Sequence, residues 1–76
     1  MDGRVDKTLD IKGVHAPRPN ELTLNTLERM ISGQVLQVIT NDRATKTTIP
    51  SLCSEHGFIL LEIKDDRGTL YFTIRK

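Results

Sequence analysis

Apolar and polar positions in this chain follow two periods, and the changes from one to the other mark out the elements. At 8 to 11, Thr-Leu-Asp-Ile alternates with period two, which predicts a strand with Leu9 and Ile11 on its buried face. Gly13 permits a turn. The prolines of Ala16-Pro17-Arg18-Pro19 hold the residue before each in extended geometry, so a helix is expected to open at Pro19 and no earlier. In a first turn the missing proline amide hydrogen costs nothing, and Glu21 complements the positive end of the helix dipole. Leu24, Leu27 and Ile31 then recur at intervals of three and four with Met30 beside them, predicting an amphipathic helix closed by Gly33. Leu22 falls off that stripe and is expected to be exposed.

Val35-Leu36-Gln37-Val38-Ile39 is apolar on both faces and rich in β-branched residues, the mark of a central strand. Asn41-Asp42-Arg43-Ala44 is turn chemistry. Ile49, Leu52, Cys53 and His56 follow at i, i+3, i+4 and i+7, predicting a short second helix with Thr48 as its cap, Pro50 in its first turn and Gly57 as its stop. Phe58 to Ile63 has the length of a strand, Asp65-Asp66-Arg67-Gly68 reads as a turn, and Leu70, Phe72 and Ile74 alternate with Tyr71, Thr73 and Arg75. The order β-α-β-α-β-β predicts an α+β two-layer sandwich, a four-stranded mixed sheet with two helices on one face, because right-handed crossovers put both helices on the same side.

Seventy-six residues are expected to form one domain, 1–76, with no deep enclosed site. No apolar run approaches the roughly 18 residues needed to cross a bilayer. Met1-Asp2-Gly3-Arg4 is not followed by the apolar core of a signal peptide, and the single Cys53 rules out an internal disulfide, so the expected address is the cytoplasm. A net charge of +1 argues against a protein whose main task is gripping phosphate backbones. A monomer is expected.

Leu9-Asp10-Ile11-Lys12-Gly13-Val14-His15-Ala16-Pro17-Arg18-Pro19 resembles the opening signature of the TusA/SirA/YedF sulfur-carrier family, L-D-x-x-G-L-x-C-P-x-P. Asn41-Asp42 with Thr48-Ile49-Pro50-Ser51-Leu52-Cys53 resembles the family's D-D…D-I-P-x-x-C segment, and Phe72-Thr73-Ile74-Arg75-Lys76 its closing strand. The resemblance implies the fold shared with the C-terminal domain of translation initiation factor three, in agreement with the periodicity. It also implies a sulfurtransferase-type relay: a persulfide on the C-P-x-P cysteine, received from a cysteine desulfurase or rhodanese and passed to a downstream acceptor, for example toward tRNA thiolation. A cysteine just before a helix N-terminus faces unpaired amides and the positive dipole end, which favours its anion. Here that position is Ala16, which can neither ionise nor bond sulfur.

Two origins account for the alanine: an engineered replacement in an ordinary persulfide carrier, or natural divergence. Asn20-Glu21 and Leu24-Asn25, where the family pattern has apolar residues and a mid-helix basic residue, favour divergence. The site expected from the resemblance is Gly13, His15, Ala16, Pro17, Arg18 and Pro19, a surface for sulfur-relay partners. Restoring a cysteine at 16 is expected to give a thiol of lowered pKa unless Glu21 competes for the helix amides. Cys53 is the one remaining thiol, yet it lies in the apolar stripe, where burial raises a thiol's pKa. His15, His56, Cys53, Asp65 and Asp66 have no metal-ligand spacing, and no cofactor motif is present. Lys7, Arg18, Arg29, Arg43 and Lys46 read as a solvated charged set, with a modest anion-receptive patch as the competing reading. With Tyr71 alone expected on the outer sheet face, RNA binding is disfavoured, and a non-enzymatic protein- or RNA-binding regulatory module is the alternative function.

Overall fold

A computed structural model describes residues 4–76. The first three residues of the Met1-Asp2-Gly3-Arg4 reading therefore lie outside the described residues. The elements are β1 (Lys7–Asp10), α1 (Arg18–Arg29), β2 (Val35–Thr40), α2 (Thr45–His56), β3 (Ile59–Asp66) and β4 (Thr69–Arg75). The four strands form one mixed sheet in the order β1-β2-β4-β3, with β1 parallel to β2 and the other pairs antiparallel. This is the expected β-α-β-α-β-β two-layer sandwich. Leu36 and Val38 of β2 and Leu70, Phe72 and Ile74 of β4 supply the sheet's half of the core, and Leu27 of α1 with Ile49, Leu52 and Cys53 of α2 supply the helical half. No helix among the described residues is long and apolar enough to cross a membrane.

Several boundaries differ from the sequence reading, each for a local reason. Helix α1 starts at Arg18, one residue ahead of Pro19, with Pro17 at the cap. It ends at Arg29, well before Gly33, because Met30 adopts extended backbone (φ −86, ψ 163). The Lys76 ammonium takes the helix-end carbonyls of Glu28 and Met30 at 2.9 and 2.7 Å, so no further helical turn is needed to satisfy them. Ile31 is thrown out of the predicted stripe and is 70% exposed, while Thr23 is buried in its place and Leu22, expected outside, packs partly against the core. Leu9 is only partly buried, and Ile11 reaches the core just beyond the end of β1. Gly33 (φ 93) serves instead in the turn into β2, where its N–H donates to the Lys76 carbonyl at 2.8 Å.

Helix α2 begins three residues before Thr48, so Thr48 is no cap and Pro50 lies inside the helix. The start is set by Asp42, whose carboxylate accepts the Ala44 N–H at 3.0 Å and whose carbonyl accepts the Thr45 N–H at 3.0 Å. Gly57 is the stop as expected, in left-handed backbone (φ 76). His56 is exposed rather than on the buried stripe, and its ring stacks on Phe58 with centroids 5.9 Å apart. The β3–β4 turn is shorter than expected. Asp65 and Asp66 remain in β3, and Arg67 (φ 56) and Gly68 (φ 92) alone make the tight connection, both left-handed as a two-residue hairpin requires.

Candidate functional site

The residues of the x-Pro-x-Pro segment come together at the ends of β1 and β2, where the loop before α1 meets the loop before α2. Each neighbouring side chain there is tied to backbone. The Asn41 Oδ1 accepts the Gly13 N–H at 3.0 Å, and the Asp42 Oδ2 accepts the Ala16 N–H at 2.6 Å. Asp42 thus holds two loops at once, residue 16 through one carboxylate oxygen and the start of α2 through the other. The Asn20 amide donates to the Thr48 carbonyl at 3.0 Å and fastens the first turn of α1 to α2. In the sequence Asn41-Asp42 reads as turn chemistry and a motif match, and nothing local signals the clamp, whose partners lie 28 and 26 residues away.

Between these ties lies a shallow, mostly apolar cleft of about 180 Å³ lined by Ala16, Pro17, Pro19, Asn20, Thr45 and Thr48. Ala16 and Pro17 are exposed at it, whereas Pro19 is buried. The Ala16–Pro17 peptide is cis. Pro17 caps α1 without a side-chain hydrogen bond, and the Arg18 N–H is turned back onto the His15 carbonyl at 3.1 Å. His15 in the loop and Arg18 at the start of α1 are both exposed. The arrangement presents a rigid, solvent-facing position 16 at a helix N-terminus, and what stands there is a methyl group.

Cys53 is elsewhere. It is 2% exposed within the helical half of the core, and burial pushes its thiol above the ordinary cysteine range. Among the described residues no group of three or more His, Cys, Asp and Glu side chains comes together. The five basic residues do not form a common patch. Arg43 and Lys46 both turn to Asp65, at 3.2 and 3.6 Å, while Lys7 begins β1 at the far end of the sheet and Arg29 ends α1. Tyr71 is the aromatic of the outer face, half-buried beside Gln37, Glu62, Lys64 and Asp66, a mixed-charge surface.

Asp65 is a structural charge. The Gly68 N–H donating to its carboxylate, then Arg43 and Lys46, hold its pKa below the usual carboxylate value. Because the folded value is the lower one, its contribution to stability is complete above the unfolded pKa and is lost as pH falls through the folded pKa. Asp65→Asn should therefore lower the urea midpoint near pH 7 and change it little near pH 2. An equal loss at both pH values would assign the effect to turn geometry rather than charge.

The comparisons with known proteins agree with this geometry. The sulfurtransferase TusA family matches residues 7–76. The sulfur carrier protein TusA of Pseudomonas aeruginosa (strain LESB58) is 34% identical over 76 residues, 100% of this chain and 96% of that protein. A protein of Aquifex aeolicus (strain VF5) is 37% identical over 71 residues, and this chain spans only 36% of its length. The crystal structure of a SirA-like protein from Desulfitobacterium hafniense shares the fold with a TM-score of 0.79 at 22% identity, covering 91% of this chain and 95% of that one. With the family match running from the first strand to the last residue, the chain belongs to the TusA family.

Proposed function

We propose that this chain is a TusA-family module that keeps the carrier scaffold, docks sulfur-relay proteins through the His15 to Pro19 loop, and does not itself carry a persulfide. One observation carries the reading: the exposed cleft position before α1, where the family signature has its cysteine, holds the Ala16 methyl. Nucleophilic attack on a donor persulfide needs a thiolate, and an alkyl group supplies no lone pair. Cys53 is no substitute, because attack would require both exposure and ionisation, and burial opposes each. The rest of the cleft suits protein contact. Two prolines lose little conformational freedom on binding, and the Asn41 and Asp42 ties keep the loop in one shape. Such a module acts as a binding member of a relay in the cytoplasm, occupying the surface of a cysteine desulfurase, rhodanese or acceptor that an active carrier would use.

The test is incubation with a cysteine desulfurase and cysteine, followed by intact mass and a capture assay. The expected result is no added sulfur on the chain, together with retention of the desulfurase or another relay protein, and with Cys53 alkylated only after denaturation. Sulfur found on Cys53 of the folded protein would sink the reading.

A further inference from the structure

The geometry points to the outer edge of β3 as a self-association surface that takes a second copy of this chain, antiparallel and in a single register centred on Ile63. The inference is independent of the sulfur-relay reading. The sheet has two edges, and they are not alike. Strand β1 is four residues long and carries Lys7 and Asp10, the short charged kind of edge that resists pairing. Strand β3 is eight residues long, pairs among the described residues with β4 alone, and exposes Ile59, Leu61 and Ile63 at 52, 44 and 41%. A long edge with exposed apolar residues has unpaired backbone groups and apolar area to offer at the same time.

Charge selects the occupant and the register. Opposite β4, Glu62 pairs with Thr73, Ile63 with Phe72 and Lys64 with Tyr71, so Glu62 and Lys64 share the outer face and Ile63 points to the helical face. Across a two-fold axis normal to the sheet, outer-face residues must meet outer-face residues, and registers can shift only by two-residue steps in their sum. Centring on Glu62 puts that carboxylate against its own copy. Centring on Lys64 does the same with the ammonium and sets Glu62 against Asp66, while centring on Asp65 sets that carboxylate against its own copy and runs Ile63 into the Arg67 turn. Centring on Ile63 places Glu62 opposite Lys64 of the second copy, twice over, with Ile63 against Ile63 beneath. Among the described residues neither Glu62 nor Lys64 is held in an ion pair, which leaves both to that contact. The bulge at Leu61 faces Asp65 of the second copy, and the two-fold repeats this at the other end, so regular pairing is confined to Glu62, Ile63 and Lys64 and the association is weak. The two Ala16 clefts would lie at opposite ends of the joined sheet, both open.

Sedimentation equilibrium of the full chain over a concentration series is the test. A reversible monomer–dimer equilibrium with Kd between about 10 μM and 1 mM is expected for an interface below the usual stable size. Glu62→Lys alone should weaken it by about tenfold or more, since two cross-strand pairs change sign together. Lys64→Glu alone should do the same. Mixing the two single variants should restore association as a heterodimer, and the double exchange Glu62→Lys/Lys64→Glu should restore the homodimer. Both substitutions lie on an exposed face, and circular dichroism checks that each of the three variants is folded. A chain that stays monomeric to about 1 mM would overturn the inference and leave the edge to a strand of another protein. Dimerisation indifferent to the single charge reversals, or not rescued by mixing, would overturn it as well.

Discussion

Asp42→Ala is expected to destabilise the fold by about 1–3 kcal/mol and to free the Ala16 loop, a large effect for a side chain outside the core. One carboxylate accepts from Ala16 at 2.6 Å and from Ala44 at 3.0 Å, so its removal breaks a long-range tie and the start of α2 together. A charge-assisted bond contributes about 1.5–3 kcal/mol and a lost helix cap about 0.5–2. Both donors sit where water can replace the carboxylate, which brings the sum down to the range given. Asp42→Asn retains one acceptor oxygen and should cost about half as much. Urea denaturation measures the total, and amide exchange at Ala16 reports the tie itself. Unchanged exchange at Ala16 in Asp42→Ala would show that the loop is held by its prolines and the Asn41–Gly13 bond without the Asp42 tie.

The sheet, the order of elements and the position of the Ala16 loop were legible in the sequence because period-two alternation in Leu70, Phe72 and Ile74 and the β-branched run of Val35 to Ile39 are local signals. What escaped were features set by residues distant in sequence. Helix α1 ends early because the Lys76 ammonium, almost fifty positions away, caps it, and that moves Ile31 from the core to the surface. Helix α2 starts early because Asp42 begins it, and in the sequence that aspartate competes with Thr48 as a helix-starting residue. At the site, the signature located position 16, but only the folded chain shows Asp42 placed against it. The buried state of Cys53, by contrast, followed from its spacing in an apolar stripe, and the thiol lies where that spacing put it.

Ala16→Cys is expected to convert the protein from a non-acceptor into one that takes up sulfur, the largest functional change that a single substitution should produce here. Residue 16 is exposed, so stability should move by no more than about 0.5 kcal/mol. The ionisation of the introduced thiol is decided by opposing charges. The N-terminus of α1 favours an anion by about 0.3–1 kcal/mol at an exposed site, and Glu21, in the first turn, offsets part of that. Asp42 adds a second opposing charge: its carboxylate is bonded to the amide of residue 16, and two like charges about 4 Å apart in water repel by about 1 kcal/mol. The effects nearly cancel, so an apparent pKa within about one unit of the free-cysteine value of about 8.5 is expected. The Asp42 carboxylate is the reason to expect less depression than the helix terminus alone would give. Adding Asp42→Asn to Ala16→Cys removes the carboxylate and should lower the pKa below that value, and Glu21→Gln should lower it as well. Alkylation rate against pH in a Cys53→Ala background gives all these values, since only one thiol then reports. Intact mass after exposure to a desulfurase and cysteine gives the functional outcome. Sulfur uptake by the Ala16→Cys protein would mean that the scaffold lacks only its nucleophile. A freely alkylated thiol that accepts no sulfur would mean that donor docking has been lost too, and the relay-partner reading of this surface would fail with it.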